Sequence, residues 1–219
     1  MKKKELNYIK DPMGIENKSF DIIDEIIEEN HWAYPDDSDL TKAIYRRVIH
    51  TSADFDYLEN LKIEPEFIAA FEKAIDQPLT LYTDTNMALS GINKTGMGKL
   101  PWTLKCFVAD EEAKVMAKEL GITRSMAAIQ IALSEPGLKL FVLGNAPTAI
   151  FQLLDLNVED NKDVIGVIGV PVGFVGAAES KDALYASKVP CITALGRKGG
   201  SNVAAAIVNA LVYHFKGRL

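Results

Sequence analysis

The sequence predicts an α/β protein with a mainly parallel sheet, helices on both faces of the sheet, and a helical N-terminal portion. Apolar, β-branched runs at 140–143, 164–170 and 192–195 lack polar–apolar alternation. Such strands are buried on both faces, which is typical of parallel sheets. Helix-like segments alternate with strands from residue 79 onward, as in repeated strand–helix–strand units. We expect one domain over residues 1–219, because a sheet of this kind can use the whole chain.

The N-terminal portion is predicted to be helical after an irregular lead-in over residues 1–14, which holds Pro12 and Gly14. The first helix would begin at Ser19, a residue type suited to helix N-caps, and its apolar positions follow the helical period. Asp39 is predicted to cap a second helix, and a third helix is expected over residues 64–75.

The elements that follow alternate between short strands and helices. Thr123 can cap one of these helices and Gly121 can end the helix before it. The predicted bounds are strands at 79–82 and 103–108, and helices at 87–92, 111–120 and 123–133.

Each of the three later strands ends in a glycine-bearing turn. Turns after parallel strands open on one edge of a sheet, where helix N-termini offer backbone N–H groups to anions. Three such turns together predict a ligand with several negatively charged groups. The turns are Gly144-Asn145-Ala146-Pro147-Thr148, Pro171-Val172-Gly173-Phe174-Val175-Gly176 and Gly196-Arg197-Lys198-Gly199-Gly200-Ser201-Asn202.

Composition and charge exclude several classes of protein. The net charge of −6 argues against a sequence-independent nucleic-acid binder, which needs a basic surface. No apolar run approaches the roughly 18 residues of a membrane span, so we expect no membrane partner, and the Met1-Lys2-Lys3-Lys4 start lacks the apolar core of a secretory signal. The isolated Cys106 and Cys191, each expected within a strand, fit a reducing cytoplasm.

His50 is the histidine with the clearest chemical setting among the three in the chain. Arg46 and Arg47 precede it by four and three residues, so all three side chains can share one face of a helix. An imidazole beside two guanidinium groups suits a ligand rich in carboxylates. The alternative is a solvated basic face that ends in a capping histidine.

Further candidates lie at strand ends and helix starts. Asp84 can either cap the next helix or accept a hydrogen bond from a ligand. Arg124 lies in the first turn of a helix, where a cation opposes the helix dipole. Ser180 and Lys181 begin another helix, where capping is the simpler role for the serine. Arg197 precedes a glycine-rich turn that can either bind an acid group or remain solvated.

Known motifs for metal and nucleotide sites are absent. No H-x-x-x-H, H-E-x-x-H or cysteine pair indicates a metal site. The 96–99 stretch lacks the spacing of a P-loop, and the turn at 173–176 lacks the G-x-G-x-x-G fingerprint of dinucleotide-binding proteins. A nucleotide-dependent oxidoreductase is therefore weakly supported, and no G-x-S-x-G elbow supports a hydrolase.

Several stretches together resemble the precorrin-8X methylmutase (cobalt-precorrin-8 methylmutase) family, and the resemblance covers essentially the whole chain. The last two stretches are long and unusual in combination, which makes the match specific. The stretches are Ile15-Glu16-x-x-Ser19-Phe20, Arg46-Arg47-Val48-Ile49-His50-Thr51, Thr83-Asp84-x-x-Met87, Gly144-Asn145-Ala146-Pro147-Thr148, Pro171 to Lys181, and Gly196-Arg197-Lys198-Gly199-Gly200-Ser201.

The resemblance implies a homodimeric isomerase of cobalamin biosynthesis. It would move a methyl group from C-11 to C-12 of a tetrapyrrole, giving hydrogenobyrinate or cobyrinate, with His50 as the proton donor and no cofactor. Any cobalt would belong to the substrate. The alternative is a non-catalytic tetrapyrrole carrier. We expect the substrate and its carboxylates to contact Ser19, Arg46, Arg47, Thr51, Thr83, Asp84, Arg124, Gly144, Asn145, Val172, Gly173, Phe174, Ser180, Lys181, Arg197, Gly199 and Gly200.

Overall fold

The computed structural model describes residues 11–98 and 100–217. The strands are β1 (Leu61–Ile63), β2 (Leu79–Thr83), β3 (Trp102–Lys105), β4 (Leu138–Leu143), β5 (Val164–Gly169) and β6 (Cys191–Ala194). The helices are α1 (Pro12–Glu29), α2 (Asp39–Ser52), α3 (Tyr57–Asn60), α4 (Pro65–Ala74), α5 (Asn86–Gly91), α6 (Lys94–Met97), α7 (Glu111–Leu120), α8 (Arg124–Ser134), α9 (Pro147–Asp155), α10 (Ala177–Ala186) and α11 (Ser201–Lys216).

The strands form one six-stranded sheet in the order β1-β6-β5-β4-β2-β3. The five strands from β2 to β6 pair with one another in parallel. This confirms the predicted α/β class with a mainly parallel sheet. The edge strand β1 was not predicted. It pairs antiparallel with β6, with Leu61 opposite Ala194, and three residues are too few to show a strand pattern in the sequence.

The chain order reverses at β2, next to the edge strand β3, because β2 lies between β3 on one side and β4 on the other. In open α/β sheets, ligands bind in the crevice at the carboxyl ends of the strands, at this kind of reversal. The turns after β2, β4, β5 and β6 therefore surround the edge where a site is expected.

The sheet carries apolar layers on both faces, and β4 contributes to each. Leu140 and Val142 belong to the core formed with α2, α4 and α11. Phe141 and Leu143 belong to the core under α8, α9 and α10. All four side chains are fully buried, which explains why the strand lacks alternation.

The N-terminal helix begins earlier than predicted. Asp11 caps α1 by accepting a hydrogen bond from the Gly14 N–H at 2.6 Å, and Pro12 occupies the first turn, where its missing N–H costs nothing. The irregular lead-in is therefore wrong for residues 12–14, and residues 1–10 lie outside the described part of the chain. Ser19 lies inside α1, and its Oγ donates to the Ile15 carbonyl at 2.8 Å.

Other predicted boundaries can be checked at their caps. Thr123 caps α8, with Oγ1 accepting from the Met126 N–H at 3.2 Å, and Gly121 ends α7 at φ 65°, as predicted. Ser38, and not Asp39, caps α2. Cys106 lies just beyond β3 and not within a strand. Within the described ranges, no helix has the length and apolar character needed to cross a membrane.

Candidate active site

The C-terminal end of α2 meets the N-terminal end of α11 at the carboxyl edge of the sheet. The Asn202 amide donates to the Thr51 carbonyl at 3.4 Å. The hydroxyl of Ser201 lies 2.7 Å from that of Thr85, which precedes α5. The helices α5 and α11 also pack closely, since a Cβ at Gly91 would lie 2.8 Å from the Ala205 Cβ.

These three helices enclose an open pocket of about 290 Å³. Helix α2 contributes Arg47, His50 and Thr51, three residues that the sequence analysis selected. The remaining lining residues were missed, because small residues on an apolar helix look like core. The only sequence signal is the spacing of four of them along one face of α11, since Gly91 belongs to α5. They are Gly91, Asn202, Ala205, Ala206 and Asn209.

The His50 ring lines this pocket and is exposed. The Phe20 ring of α1 meets it edge to face, with centroids 5.6 Å apart and planes at 89°. His50 lies in the last turn of α2, where the helix dipole favours a cation. The imidazole is therefore open to a ligand on one side and supported by an aromatic ring on another.

Arg47 also lines the pocket and is held from several directions. Its Nη2 donates to Glu16 Oε1 at 2.8 Å. The guanidinium carbon lies 5.4 Å from the Phe20 ring centroid and 4.6 Å from that of Tyr213, within the range of cation–π contacts. The Arg47 side chain therefore lines the pocket while it is held by an ion pair with Glu16 and by two aromatic rings.

Arg46 does not line this pocket. Its Nε donates to Asp24 at 2.9 Å, and its guanidinium also pairs with the second oxygen of that carboxylate. It lies 5.9 Å from the Tyr34 ring and lines a different depression. Arg46 and His50 are four residues apart and lie on one side of α2, but Asp24 of α1 binds the guanidinium away from the pocket, which corrects the expectation that Arg46 lies beside Arg47 and His50.

Asp84 binds the turn after β4. Its carboxylate accepts hydrogen bonds from the N–H groups of Gly144 at 3.0 Å and of Asn145 and Ala146 at 2.7 Å each. Burial raises the pKa of this carboxyl group, and the three donors oppose the rise. The N–H groups expected to attract a ligand anion are therefore occupied by a protein carboxylate, and Thr85 caps α5 instead.

The turns after β5 and β6 are joined by backbone contacts. The N–H of Gly173 donates to the Arg197 carbonyl at 3.1 Å, and the N–H of Gly200 donates to the Val170 carbonyl at 2.9 Å. A Cβ at Gly199 would lie 2.1 Å from the Val170 oxygen, so only glycine fits there. Gly199 thus serves the close backbone packing of these two turns.

Ser180 and Lys181 are fully buried, and both contact protein carbonyls. Ser180 Oγ donates to the Ala177 carbonyl at 3.1 Å, and Lys181 Nζ donates to the Lys198 carbonyl at 2.7 Å. The Lys198 ammonium in turn pairs with Asp54 at 2.6 Å and with Asp56. Lys181 therefore supports the turn that connects α11 to the loop after α2.

The contribution of Lys181 to the free energy of unfolding is expected to rise with pH above about 8. Burial lowers the pKa of Lys181 from 10.5 to about 8, so between these values the unfolded state binds more protons. The destabilisation caused by burying the Lys181 charge is fully present below pH 8 and is lost by about pH 10.5. It lowers the free energy of unfolding by up to about 3 kcal/mol. Urea unfolding of wild type and Lys181→Met at several pH values measures it. Parallel curves for the two proteins would contradict the assignment.

The other selected residues lie around the same edge. Phe174 is 85% exposed, and the Arg197 guanidinium lies 5.7 Å from its ring centroid. Val172 is also exposed. Arg124 is exposed at the start of α8, near the first turn of α9, because the Thr123 and Thr148 hydroxyls are 3.0 Å apart.

Thr83 and Ser19 lie apart from the pocket. Thr83 is buried, and its hydroxyl donates to the Thr85 carbonyl at 3.0 Å. Ser19 is not among the described residues that line the pocket. Contact of these side chains with a substrate stays a prediction, as it does for the other selected residues. Across residues 11–98 and 100–217, no group of three histidine, cysteine, aspartate or glutamate side chains is placed to hold a metal ion.

Comparison with known proteins places the chain in a family. A profile of the family described as precorrin-8X methylmutase matches residues 14–214. A cobalt-precorrin-8 methylmutase of Salmonella typhimurium is 52% identical over 212 residues, which are 96% of this chain and 99% of that protein. A precorrin-8X methylmutase of Pseudomonas aeruginosa is 36% identical over 210 residues, covering 94% and 97% respectively.

A solved structure shares the fold. A precorrin-8x methyl mutase from Thermus thermophilus superposes with a TM-score of 0.80 at 29% identity, covering 94% of this chain and 99% of that one. A second structure, of a precorrin-8X methylmutase related protein, gives a TM-score of 0.79 at 30% identity, covering 89% and 99%. On sequence and fold together, the chain belongs to the precorrin-8X methylmutase family.

Proposed function

We propose that the pocket between α2, α5 and α11 holds the reacting part of a tetrapyrrole and that His50 is the proton donor. The chain is a methylmutase of cobalamin biosynthesis, an isomerase that moves a methyl group within its substrate. The observation that carries the assignment of the site is the exposed His50 imidazole, which lines the pocket beside Arg47 and Thr51.

A methyl shift within one molecule needs little covalent chemistry from the protein. The enzyme must hold the macrocycle in a reactive shape and supply a proton at the right atom. Because an isomerisation gains and loses no atoms, the proton that His50 gives to the ring returns before the next cycle. General acid catalysis contributes about 10²- to 10⁴-fold, so positioning has to supply the remainder.

The substrate's carboxylates are expected to meet cations at the carboxyl edge. Arg47 lines the pocket, and the exposed Arg124 and Arg197 follow from neighbouring turns. Guanidinium groups can hold carboxylates with two parallel hydrogen bonds, which fixes orientation as well as affinity. These local cations matter because the chain as a whole is acidic, with a net charge of −6.

Filling the pocket is expected to weaken binding of the tetrapyrrole. Asn202 is exposed and lines the pocket, so Asn202→Trp places an indole in the space without burying it in the core. Absorbance titration with the corrin product should show a dissociation constant raised at least about tenfold. Ala33→Trp is the matched control, since exposed Ala33 lines a separate depression of about 300 Å³. Equal loss of binding in both variants would contradict the location.

We also propose a homodimer, as the resemblance implies. The pocket volume of about 290 Å³ is at the low end of ligand sites, about 300–1,000 Å³, so a large macrocycle needs further surface. Phe174 and Val175 are 85% and 90% exposed beside the same edge, and exposed apolar patches commonly mark association sites.

The dimer proposal is tested by sedimentation equilibrium with Val175→Asp. The added charge is expected to weaken dimerisation at least about tenfold. Leu156→Asp is the control, because Leu156 is 45% exposed just beyond the far end of α9. Wild-type chains that sediment as monomers, or a Val175→Asp variant that dimerises as wild type does, would contradict the proposal.

The remaining expectations complete the proposed function. The shift is proposed to use no cofactor, since the migrating methyl group is already on the ring, and any cobalt enters as part of the substrate. The enzyme is proposed to act in the cytoplasm, in keeping with the free cysteines Cys106 and Cys191.

A further inference from the structure

One face of α1 packs behind the two pocket side chains of α2. Glu16 and Phe20 are four residues apart on α1, and Arg47 and His50 are three residues apart on α2, so each pair lies on one helix face. Glu16 pairs with Arg47 at 2.8 Å. Phe20 contacts both partners, with its centroid 5.4 Å from the Arg47 guanidinium carbon and 5.6 Å from the His50 ring centroid.

Glu16 and Phe20 act through their neighbours and not on the substrate directly. Neither is among the described residues that line the pocket. The side chains of Arg47 and Glu16 are 17% and 13% exposed, so this ion pair is largely screened from water. Solvent and salt screen a partly buried pair less than a surface pair, so this ion pair can hold the guanidinium in position.

We propose that Glu16 and Phe20 are positioning residues of the methyl shift, Glu16 for the substrate-binding guanidinium and Phe20 for the imidazole. The proposal rests on the proposed function of His50. Glu16 accepts a hydrogen bond from Arg47 Nη2, and a guanidinium has five N–H donors in a planar fork, so one guanidinium can bind both Glu16 and a substrate carboxylate. The edge-to-face contact of Phe20 limits the rotation of the His50 ring, which fixes where its proton is offered.

Preorganisation of the site explains why Glu16 and Phe20 would affect the rate of the methyl shift. A proton donor or carboxylate clamp that is displaced by about 1 Å can lose about 10²-fold in rate. His50 has an exposed ring at the end of its helix, so its orientation depends on whatever packs against it. Phe20 provides such a contact from a different helix.

The same two helices offer a matched control. Asp24 and Arg46 form another ion pair between α1 and α2, but they line a different depression. Asp24→Asn therefore weakens the docking of α1 on α2 without touching Arg47 or His50. Any effect of α1 docking alone should appear equally in this variant.

The experiment compares Phe20→Leu, Phe20→Tyr, Glu16→Gln, Asp24→Asn and His50→Ala in the full chain, with kcat, KM and melting temperature measured for each. Phe20→Leu is expected to lower kcat about tenfold with little change in KM, and Phe20→Tyr to restore it, since the ring is kept. Glu16→Gln is expected to raise KM about tenfold with a smaller effect on kcat. Asp24→Asn should lower the melting temperature but leave kcat and KM at wild-type values.

Wild-type kcat and KM in both Phe20→Leu and Glu16→Gln, with only melting temperatures lowered as in Asp24→Asn, would overturn the proposal. If Phe20→Leu does not fold, Glu16→Gln and Phe20→Met carry the same comparison. His50→Ala distinguishes failure of this inference from failure of the proposed function. If His50→Ala loses activity while the Glu16 and Phe20 variants keep wild-type kcat and KM, only this inference is overturned. If His50→Ala keeps full activity, the proposed function is overturned.

Discussion

Replacing His50 with alanine is expected to lower kcat by about 10²- to 10⁴-fold while leaving the fold intact. The range is that of general acid catalysis by a positioned side chain. The ring is exposed and lines the pocket, so its removal leaves no buried cavity. Anaerobic steady-state assays, followed by the absorbance change from precursor to corrin, measure the loss.

His214→Ala is the control for the loss of a histidine as such. Its ring packs edge to face against Phe215, with centroids 5.1 Å apart, near the end of α11. We expect this variant to keep kcat within about twofold of wild type, as a surface change away from the pocket should. A His50→Ala enzyme with kcat equal to that of His214→Ala would remove His50 from the mechanism.

Replacing Asp84 with asparagine is expected to lower the free energy of unfolding more than any other substitution proposed for this protein. The buried carboxylate accepts three backbone N–H bonds from residues 144–146. An amide has one acceptor oxygen and turns an NH₂ group toward these donors. Each buried donor left without an acceptor costs about 1–3 kcal/mol, so the free energy of unfolding should fall by about 3 kcal/mol or more.

Thermal unfolding measures this effect, with an expected decrease in melting temperature of about 6–12 °C for a chain of this size. Asp110→Asn is the control, since Asp110 is exposed at the start of α7 and makes no side-chain capping hydrogen bond. A melting temperature for Asp84→Asn that matches the control would mean that the turn after β4 holds its shape without the carboxylate.

The fold could be predicted where the sequence pattern is local. The strand β4 is apolar at consecutive positions because Phe141 and Val142 face opposite cores. Thr123 and Gly121 mark helix ends by their own conformations. The strand β1 has no such pattern, because its three residues are extended through pairing with β6, a partner more than a hundred residues away in the sequence.

The site could be predicted only in part, for a similar reason. The spacing of Arg47 and His50 indicated a shared face, and both line the pocket. The position of the Arg46 side chain depends on its ion pair with Asp24 of α1, which the spacing of residues along α2 cannot show. The role of Asp84 depends on the turn after β4, and Asn202 and Asn209 lie on a helix whose other residues belong mainly to the core. Their function is visible only once α2, α5 and α11 are packed together.

Anaerobic single-turnover spectroscopy tests the central claim most directly. Wild type and His50→Ala would be mixed in excess with precorrin-8X and, separately, with its cobalt form. We expect both proteins to bind, and only wild type to convert the substrate to the corrin within the turnover time; the faster of the two substrates identifies the natural one. Conversion by His50→Ala at the wild-type rate, or binding without conversion by wild type, would contradict the account, and the second result would identify a carrier.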